Sequence, residues 1–429
     1  MPLRLLPVTA LLLGVTGLVI GTGLLGVLLP LRASAEGFST FGVAIMGGAY
    51  FVGFVTGCLR TPYLVARVGH IRLFASFAAI CAATVLLHAL AVDLSVWIIV
   101  RAFTGFAVGG LYIVIESWLN DQAVNETRGR LFAVYMVVNF AALLAGQLLL
   151  TVLPVESVTP FLITCLAVCL SLVPVALSRA TAPVVAPVER LGLAALYRSS
   201  PLGVVGCVLV GAANGTFWAL APLYAKEQMG TAAFAAIFAS VFVLGGALGQ
   251  WPLGRLSDRW DRRKVIALAC AVAAAGGIAL ALWPTRGVAP ILLLGAFTGA
   301  FMLSIYSLCV AHTNDHIDSK DFVAASSGLL LYYGAGAVSG PTLAALLMSF
   351  LGPGALFLWT AAAHIGLAAF TLYRMRQRGP VPEAQREDFV AMLRPVPVVS
   401  DMDPRADTEA AAGNQPPEGD ALSPGGQAP

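Results

Sequence analysis

Twelve apolar runs succeed one another along a chain of 429 residues, and each is close to the length a helix needs to cross hydrocarbon. About 20 apolar residues at 1.5 Å each span a bilayer core. The runs are Leu5 to Leu31, Phe41 to Ala66, Leu73 to Ala91, Val96 to Trp118, Leu131 to Leu153, Pro160 to Leu177, Leu202 to Tyr224, Phe234 to Leu253, Val265 to Trp283, Val288 to Val310, Phe322 to Phe350, and Pro353 to Tyr373. Glycine, proline or charge separates them. Composition agrees, with 59% of residues hydrophobic and 11% charged, against about 25% charged in a soluble globule. The expected fold class is an all-α membrane protein with twelve transmembrane helices. The first run has only Arg4 ahead of it, is long for a signal peptide and lacks a small-residue cleavage site, so it reads as the first span.

The chain repeats itself. Ala102-Phe103-Thr104-Gly105 is echoed by Ala296-Phe297-Thr298-Gly299, Tyr112 by Tyr306, and Asn120-Asp121 by Asn314-Asp315, all at an offset of 194 residues. At the same offset Gly17-x-x-x-Gly21-Thr22 is echoed by Gly211-x-x-x-Gly215-Thr216. A period of half the apolar region means two copies of one unit, here two pseudo-repeated six-helix bundles. Residues 1-178 form the expected N-terminal bundle, 179-201 a connector rich in proline with a short amphipathic piece, and 202-375 the C-terminal bundle. Glycines spaced four apart, such as Gly53 and Gly57 or Gly245 and Gly249, read as close helix crossings. Residues 376-429 turn rich in Pro, Ala, Gly and acid and cannot bury enough apolar surface to fold alone. They are expected to form a disordered tail, with one short helix from about Glu383 to Leu393 lying on the protein or the membrane.

Lysine and arginine concentrate in the even-numbered connections and at the ends, while the odd-numbered connections hold only Arg32, Lys226 and Arg286. The positive-inside rule then places both termini in the cytoplasm. The net charge of +3 lies in short loops rather than on one face, so no nucleic acid partner is expected. All seven cysteines lie in or beside apolar stretches without ligand spacing and read as core or lipid-phase residues. No Walker loop, Ser/His/Asp arrangement or metal-ligand cluster is present, so neither an enzyme nor a cofactor or metal is expected. His88 and His364 read as packing residues, and His312 and His316 as loop chemistry.

One charge stands inside an apolar run. Arg101 opens the stretch Arg101-x-x-x-Gly105-x-x-x-Gly109-Gly110, and an intramembrane arginine needs a cavity, an anion or a cluster of carbonyls. Snorkelling to the surface is the alternative. Glu116, near the end of the same run, is the buried carboxylate available to a proton-coupled mechanism.

The loop Gly254-Arg255-Leu256-Ser257-Asp258-Arg259-Trp260-Asp261-Arg262-Arg263-Lys264 resembles the G-x-x-x-D-R-x-G-R-R/K signature of the major facilitator superfamily, with Asp261 where a second glycine is usual. Its counterpart after the second span has Pro62 for Gly254, Ala66 for Asp258 and Arg67 for Arg259, so it lacks the acid. The Arg101 stretch resembles the family's fourth-helix motif. Glu116-Ser117-Trp118-Leu119-Asn120 resembles the YcaD-like branch of bacterial facilitators. Gly146-Gln147 stands where antiporters of the family carry glycine-proline, which Gly340-Pro341 retains.

The resemblance implies a transporter working by alternating access, with spans one, four, seven and ten lining a central cavity. The implied substrate-cavity residues are Thr22, Arg101, Thr104, Tyr112, Asn214, Thr216, Trp218, Thr298 and Tyr306; each hydroxyl can instead bond its own helix backbone. The implied gating residues are Gly254, Asp258, Arg259, Arg262 and Arg67, with Glu116 supplying the carboxylate the Arg67 loop lacks. Candidate proton coupling falls to Arg101 and Glu116. Expected partners are a small-molecule solute, protons and the lipid bilayer, for a monomer in the bacterial cytoplasmic (inner) membrane. The alternative is a facilitator-fold protein that no longer transports and acts through its tail as a membrane sensor or assembly partner.

Overall fold

The structure is a computed structural model and describes residues 5–122, 125–178, 192–282, 287–318, 321–382, 386 and 389–392. Their secondary structure is helical: α1 (Leu5–Ala35), α2 (Thr40–Val68), α3 (His70–Leu90), α4 (Leu94–Gln122), α5 (Asn125–Leu148), α6 (Thr159–Ala176), α7 (Leu193–Ser199), α8 (Pro201–Met229), α9 (Ala232–Arg259), α10 (Arg262–Leu282), α11 (Val288–Met302), α12 (Ile305–Asn314), α13 (Phe322–Leu351) and α14 (Ala355–Gln377). Twelve membrane spans result. The short α7 belongs to the connector, and α11 with α12 forms the tenth span, tightened at Leu303-Ser304 where Ser304 N–H bonds the Phe301 carbonyl at 3.2 Å. With an even number of spans, both ends of the helical region lie on one face.

Helix crossings inside each half are backbone to backbone. A Cβ on Gly53 would stand 1.8 Å from the Ala102 carbonyl oxygen, and one on Gly105 2.0 Å from that of Tyr50. The second half repeats this crossing of α2 and α4 with α9 and α11, since a Cβ on Gly245 would stand 2.0 Å from the Ala296 oxygen and one on Gly299 2.1 Å from that of Phe242. In lipid such close approach supplies the packing that a hydrophobic effect between helices cannot.

These contacts also fix the register of the repeat, and between the first and seventh spans it differs from the 194 expected there. Gly146 meets Ile20, whereas Gly340 meets Ala212; Gly23 meets Leu143, whereas Gly215 meets Ala337. The fifth and eleventh spans are thus offset by 194, but the first and seventh by 192. Gly17 and Gly21 pack on α6, whereas Gly211 and Gly215 pack on α13, so that echo is not a structural equivalence. In the correct register Asn214, not Thr216, stands opposite Thr22.

The halves meet at the face remote from the termini. A Cβ on Gly47 would lie 2.5 Å from the Ala219 methyl, and one on Gly48 2.9 Å from the Val338 oxygen, about two turns from the start of α2. On that face Arg32 pairs with Glu36 at 2.6 Å and donates to the carbonyls of Val155, Glu156 and Ser157, tying α1 to the loop before α6.

On the termini face the expected free tail is not observed over its first residues. Arg263 Nη1 donates to the Arg378 carbonyl at 2.6 Å, and Phe389 to Met392 return between the two halves in a non-helical strand of chain. The segment expected as a short helix from about Glu383 to Leu393 on the protein or the membrane does lie on the protein, but its described residues, 386 and 389–392, are not helical, because Phe389 and Met392 bond the bundle through their backbone amides. The connector contributes Leu196, buried against Gly328. Residues 179–191, and 393 onward, lie outside the described residues.

Candidate functional site

Between the halves lies a cavity of about 1030 Å³, its mouth included. Arg101 projects into it from α4, two turns from the remote face, with Cζ 4.3 Å from the centre of the Tyr50 ring. The ring face stabilises the guanidinium without neutralising it. Arg101 thus lines the cavity. Two side-chain amides, Gln147 of α5 and Asn214 of α8, line the same cavity while almost wholly buried. Gln147 Oε1 and Asn214 Oδ1 have no hydrogen-bond partner, an arrangement that costs free energy until a donor fills it.

Of the nine expected cavity residues, Thr22, Arg101, Thr104, Asn214, Trp218 and Tyr306 line the space. Both threonines spend their hydroxyls on their own helices, Thr22 on the Leu18 carbonyl at 3.0 Å and Thr104 on that of Val100 at 2.9 Å. The remaining three do not line it. Thr216 is buried and bonded to the Ala212 carbonyl, for the register reason above. Thr298 faces α10, filling the space beside Gly276. Tyr112 is buried in the N-terminal half close to Tyr135.

Aromatic residues from outside the expected spans complete the wall. Tyr50, Phe51 and Phe54 come from α2 and Tyr333 from α13, with Tyr306 and Tyr333 edge to face at 5.1 Å. Met392 of the tail also lines it. Gln147 was marked in the sequence only by its departure from glycine-proline, and the aromatic residues by nothing.

The gating residues divide. Arg262 is almost fully buried and pairs with Asp315 at 2.8 Å and with Asp258 at 3.6 Å. Asp258 also accepts the Phe389 amide at 3.1 Å, and the Phe389 ring lies on Gly254, where a Cβ would be 2.3 Å from it. Asp261, the residue replacing the family glycine, accepts from Arg263 N–H at 3.1 Å, Nε at 3.0 Å and Nη2 at 2.8 Å. Burial pushes the Asp261 carboxyl up, but those bonds and the charges of Arg263 and Arg386 outweigh it and hold it below the usual carboxylate range. Arg259 and Arg67 are exposed, and among the described residues neither forms an ion pair.

Glu116 does not complement Arg67. It is buried and accepts from the Tyr135 hydroxyl at 3.0 Å, joining α4 to α5. Its neighbours in the branch signature act likewise, since Ser117 bonds His70 at 3.0 Å and the Trp118 ring lies 6.0 Å from that imidazole, joining α4 to α3. The stretch holds three helices together. His88 bonds the Thr84 carbonyl at 2.6 Å and stands edge to face with Trp97, as a packing residue would.

The sequence profile of the Major Facilitator Superfamily matches residues 11–239 and 203–406. The chain belongs to the major facilitator superfamily. It is 30% identical over 381 residues to an uncharacterized MFS-type transporter, YcaD, of Shigella flexneri serotype 5b, covering 88% of this chain and 97% of the relative. Among solved structures, the nucleoside transporter NupG superposes with a TM-score of 0.72 at 14% identity, covering 88% of this chain and 100% of that one. A bacterial homologue of the human lysosomal transporter Spinster, inward-facing and occupied, superposes with a TM-score of 0.68 at 16% identity, covering 90% and 99%. The facilitator fold and a multi-pass membrane location follow. Family and relatives are transporters rather than enzymes.

Proposed function

We propose that the protein is a secondary transporter that carries a small solute across the bacterial cytoplasmic membrane by alternating access, with both termini in the cytoplasm. The cavity between the halves, lined by one arginine and two unsatisfied amides, is the observation that carries this reading. Its chemistry favours a solute with an anionic group for Arg101, N–H or O–H donors for Gln147 and Asn214, and a flat apolar body for the aromatic wall. No bound nucleotide-hydrolysing loop is needed for such movement, since a solute or ion gradient drives it. Proton coupling is assigned to Glu116, a buried carboxylate that joins α4 to α5 through the Tyr135 hydroxyl.

Thermal unfolding of purified protein against a panel of anionic and neutral aromatic solutes tests the assignment, followed by uptake of any hit into proteoliposomes. Anionic solutes are expected to stabilise the wild type, Arg101→Lys in part, and Arg101→Gln not at all. Equal stabilisation of wild type and Arg101→Gln would overturn the role given to Arg101. An imposed pH gradient should drive accumulation by the wild type, while Glu116→Gln exchanges solute without concentrating it.

A further inference from the structure

We infer that the vestibule on the termini face is a peptide-binding groove whose occupant is residues 389–392 of the same chain, a plug that closes the cavity from that side. The Met392 backbone is held at both polar atoms, its N–H donating to Ser307 Oγ at 3.1 Å and its carbonyl accepting from Gln250 Nε2 at 3.1 Å. Its side chain is 5% exposed and lines the same cavity as Arg101. Three residues earlier the Phe389 amide donates to Asp258 and its ring covers Gly254. Ser307 belongs to α12 and Gln250 to α9, so the segment is sewn to the helices that must move if this mouth is to narrow.

The groove is built for a backbone. Gly254 has no side chain, and any Cβ there would occupy the volume of the Phe389 ring. Two further bonds hold the approach to the groove: Arg386 Nη1 donates to the Trp260 carbonyl at 3.0 Å, and Arg263, oriented by Asp261, donates to the Arg378 carbonyl at 2.6 Å. Asp261 therefore has a task that the glycine of the family signature could not perform. Every polar anchor, from Asp258 to Ser307, belongs to the C-terminal half. The plug rides with that half, fills the gap toward the other, and must withdraw before a solute can pass or the mouth can close.

The inference stands apart from any particular solute, and its test uses none. In purified full-length protein, Thr104→Cys places a thiol in the cavity, and its alkylation rate is read site by site by peptide mass spectrometry. Adding Phe389→Asp, which keeps the tail but places a charge on Gly254 and beside Asp258, is expected to raise the Thr104→Cys rate about tenfold, and truncation after Pro382 at least as much. One buried aromatic ring is worth a factor of this size or more. The thermal unfolding temperature should stay close to that of the Thr104→Cys protein and reports that the bundle is intact. A second measurement pairs Ser307→Cys with Met392→Cys, which should form a disulfide under mild oxidation. Equal Thr104→Cys rates with and without the plug, or no disulfide under conditions that alkylate both thiols, would overturn the proposal.

Discussion

His316 shows how a residue just outside the membrane spans reports on the fold. Its Nδ1 lies 2.8 Å from the His312 carbonyl and its ring 4.5 Å from that of His312. Burial holds the imidazole below its ordinary pKa, the charges of Arg378, Arg263 and Arg374 act in the same direction, and the His312 carbonyl opposes them. The folded protein thus keeps His316 neutral at a pH where the unfolded chain, with a pKa of about 6.5, takes up a proton. Unfolding binds protons in that window, so the contribution is neutral above pH ~6.5 and turns against the fold as pH falls toward the depressed value. Wild-type unfolding temperature should fall between pH 7.5 and pH 5.5 more steeply than that of His316→Gln. Parallel slopes by differential scanning fluorimetry would contradict the assignment. Arg101 was legible at this scale because a charge in an apolar run demands a partner. Gln147 stood out only as a departure from glycine-proline, because an amide at the end of a span gives no sign of its surroundings until its neighbours are known.

At the scale of elements, the helices themselves were legible and their faces were not. Apolar runs locate spans because lipid and core both exclude charge, but for the same reason no apolar stripe tells the inward face of α2 or α13 from the lipid-facing one. The aromatic wall of Tyr50, Phe51, Phe54 and Tyr333 was missed on that account. Glycine spacing carried more information, since Gly53, Gly57, Gly105 and Gly109 all lie at the crossing of α2 and α4. The repeat was read correctly in spans four, five, ten and eleven and two residues out of register in span seven, where the glycine and threonine echo offered a false match. The crossings predict a sharp contrast between substitutions. Gly105→Ala should destabilise by about 1–3 kcal/mol, the usual cost of overpacking, because the methyl would lie 2.0 Å from a backbone oxygen that cannot turn aside. Gly129→Ala, with nothing within 4 Å, should be neutral or stabilising by about 0.4–1 kcal/mol through the unfolded state. Unfolding in detergent measures both, and equal effects would mean that the α2 and α4 crossing yields.

For the whole molecule the contacts that close one face are the decisive ones. The halves touch toward the remote face where Gly47 meets Ala219 and Gly48 meets Val338, and deeper in the bundle where Gly334 meets Val55, while on the opposite face the tail occupies the gap. The chain is therefore closed at the remote face, and any excursion to the other state must part α2 from α8 and α13 there. Glycine at 47 and 48 makes the closed contact possible, since larger side chains would hold the helices apart. Gly48→Trp should act as a wedge, because an indole cannot share the space of the Val338 carbonyl, 2.9 Å from where even a methyl would stand. If the remote face is periplasmic, as proposed from the distribution of Arg and Lys, the wedge opens the cavity outward. Thiols at Thr104→Cys or Thr22→Cys should then react with a membrane-impermeant reagent added to intact cells at least about tenfold faster than without it, a shift in population of at least 1.4 kcal/mol. If the faces open reciprocally, the same change narrows the mouth on the termini face and should displace Met392 from its anchors Ser307 and Gln250. Unchanged labelling in intact cells, with folded and inserted Gly48→Trp, would mean that the two faces do not open reciprocally and would remove the basis for alternating access.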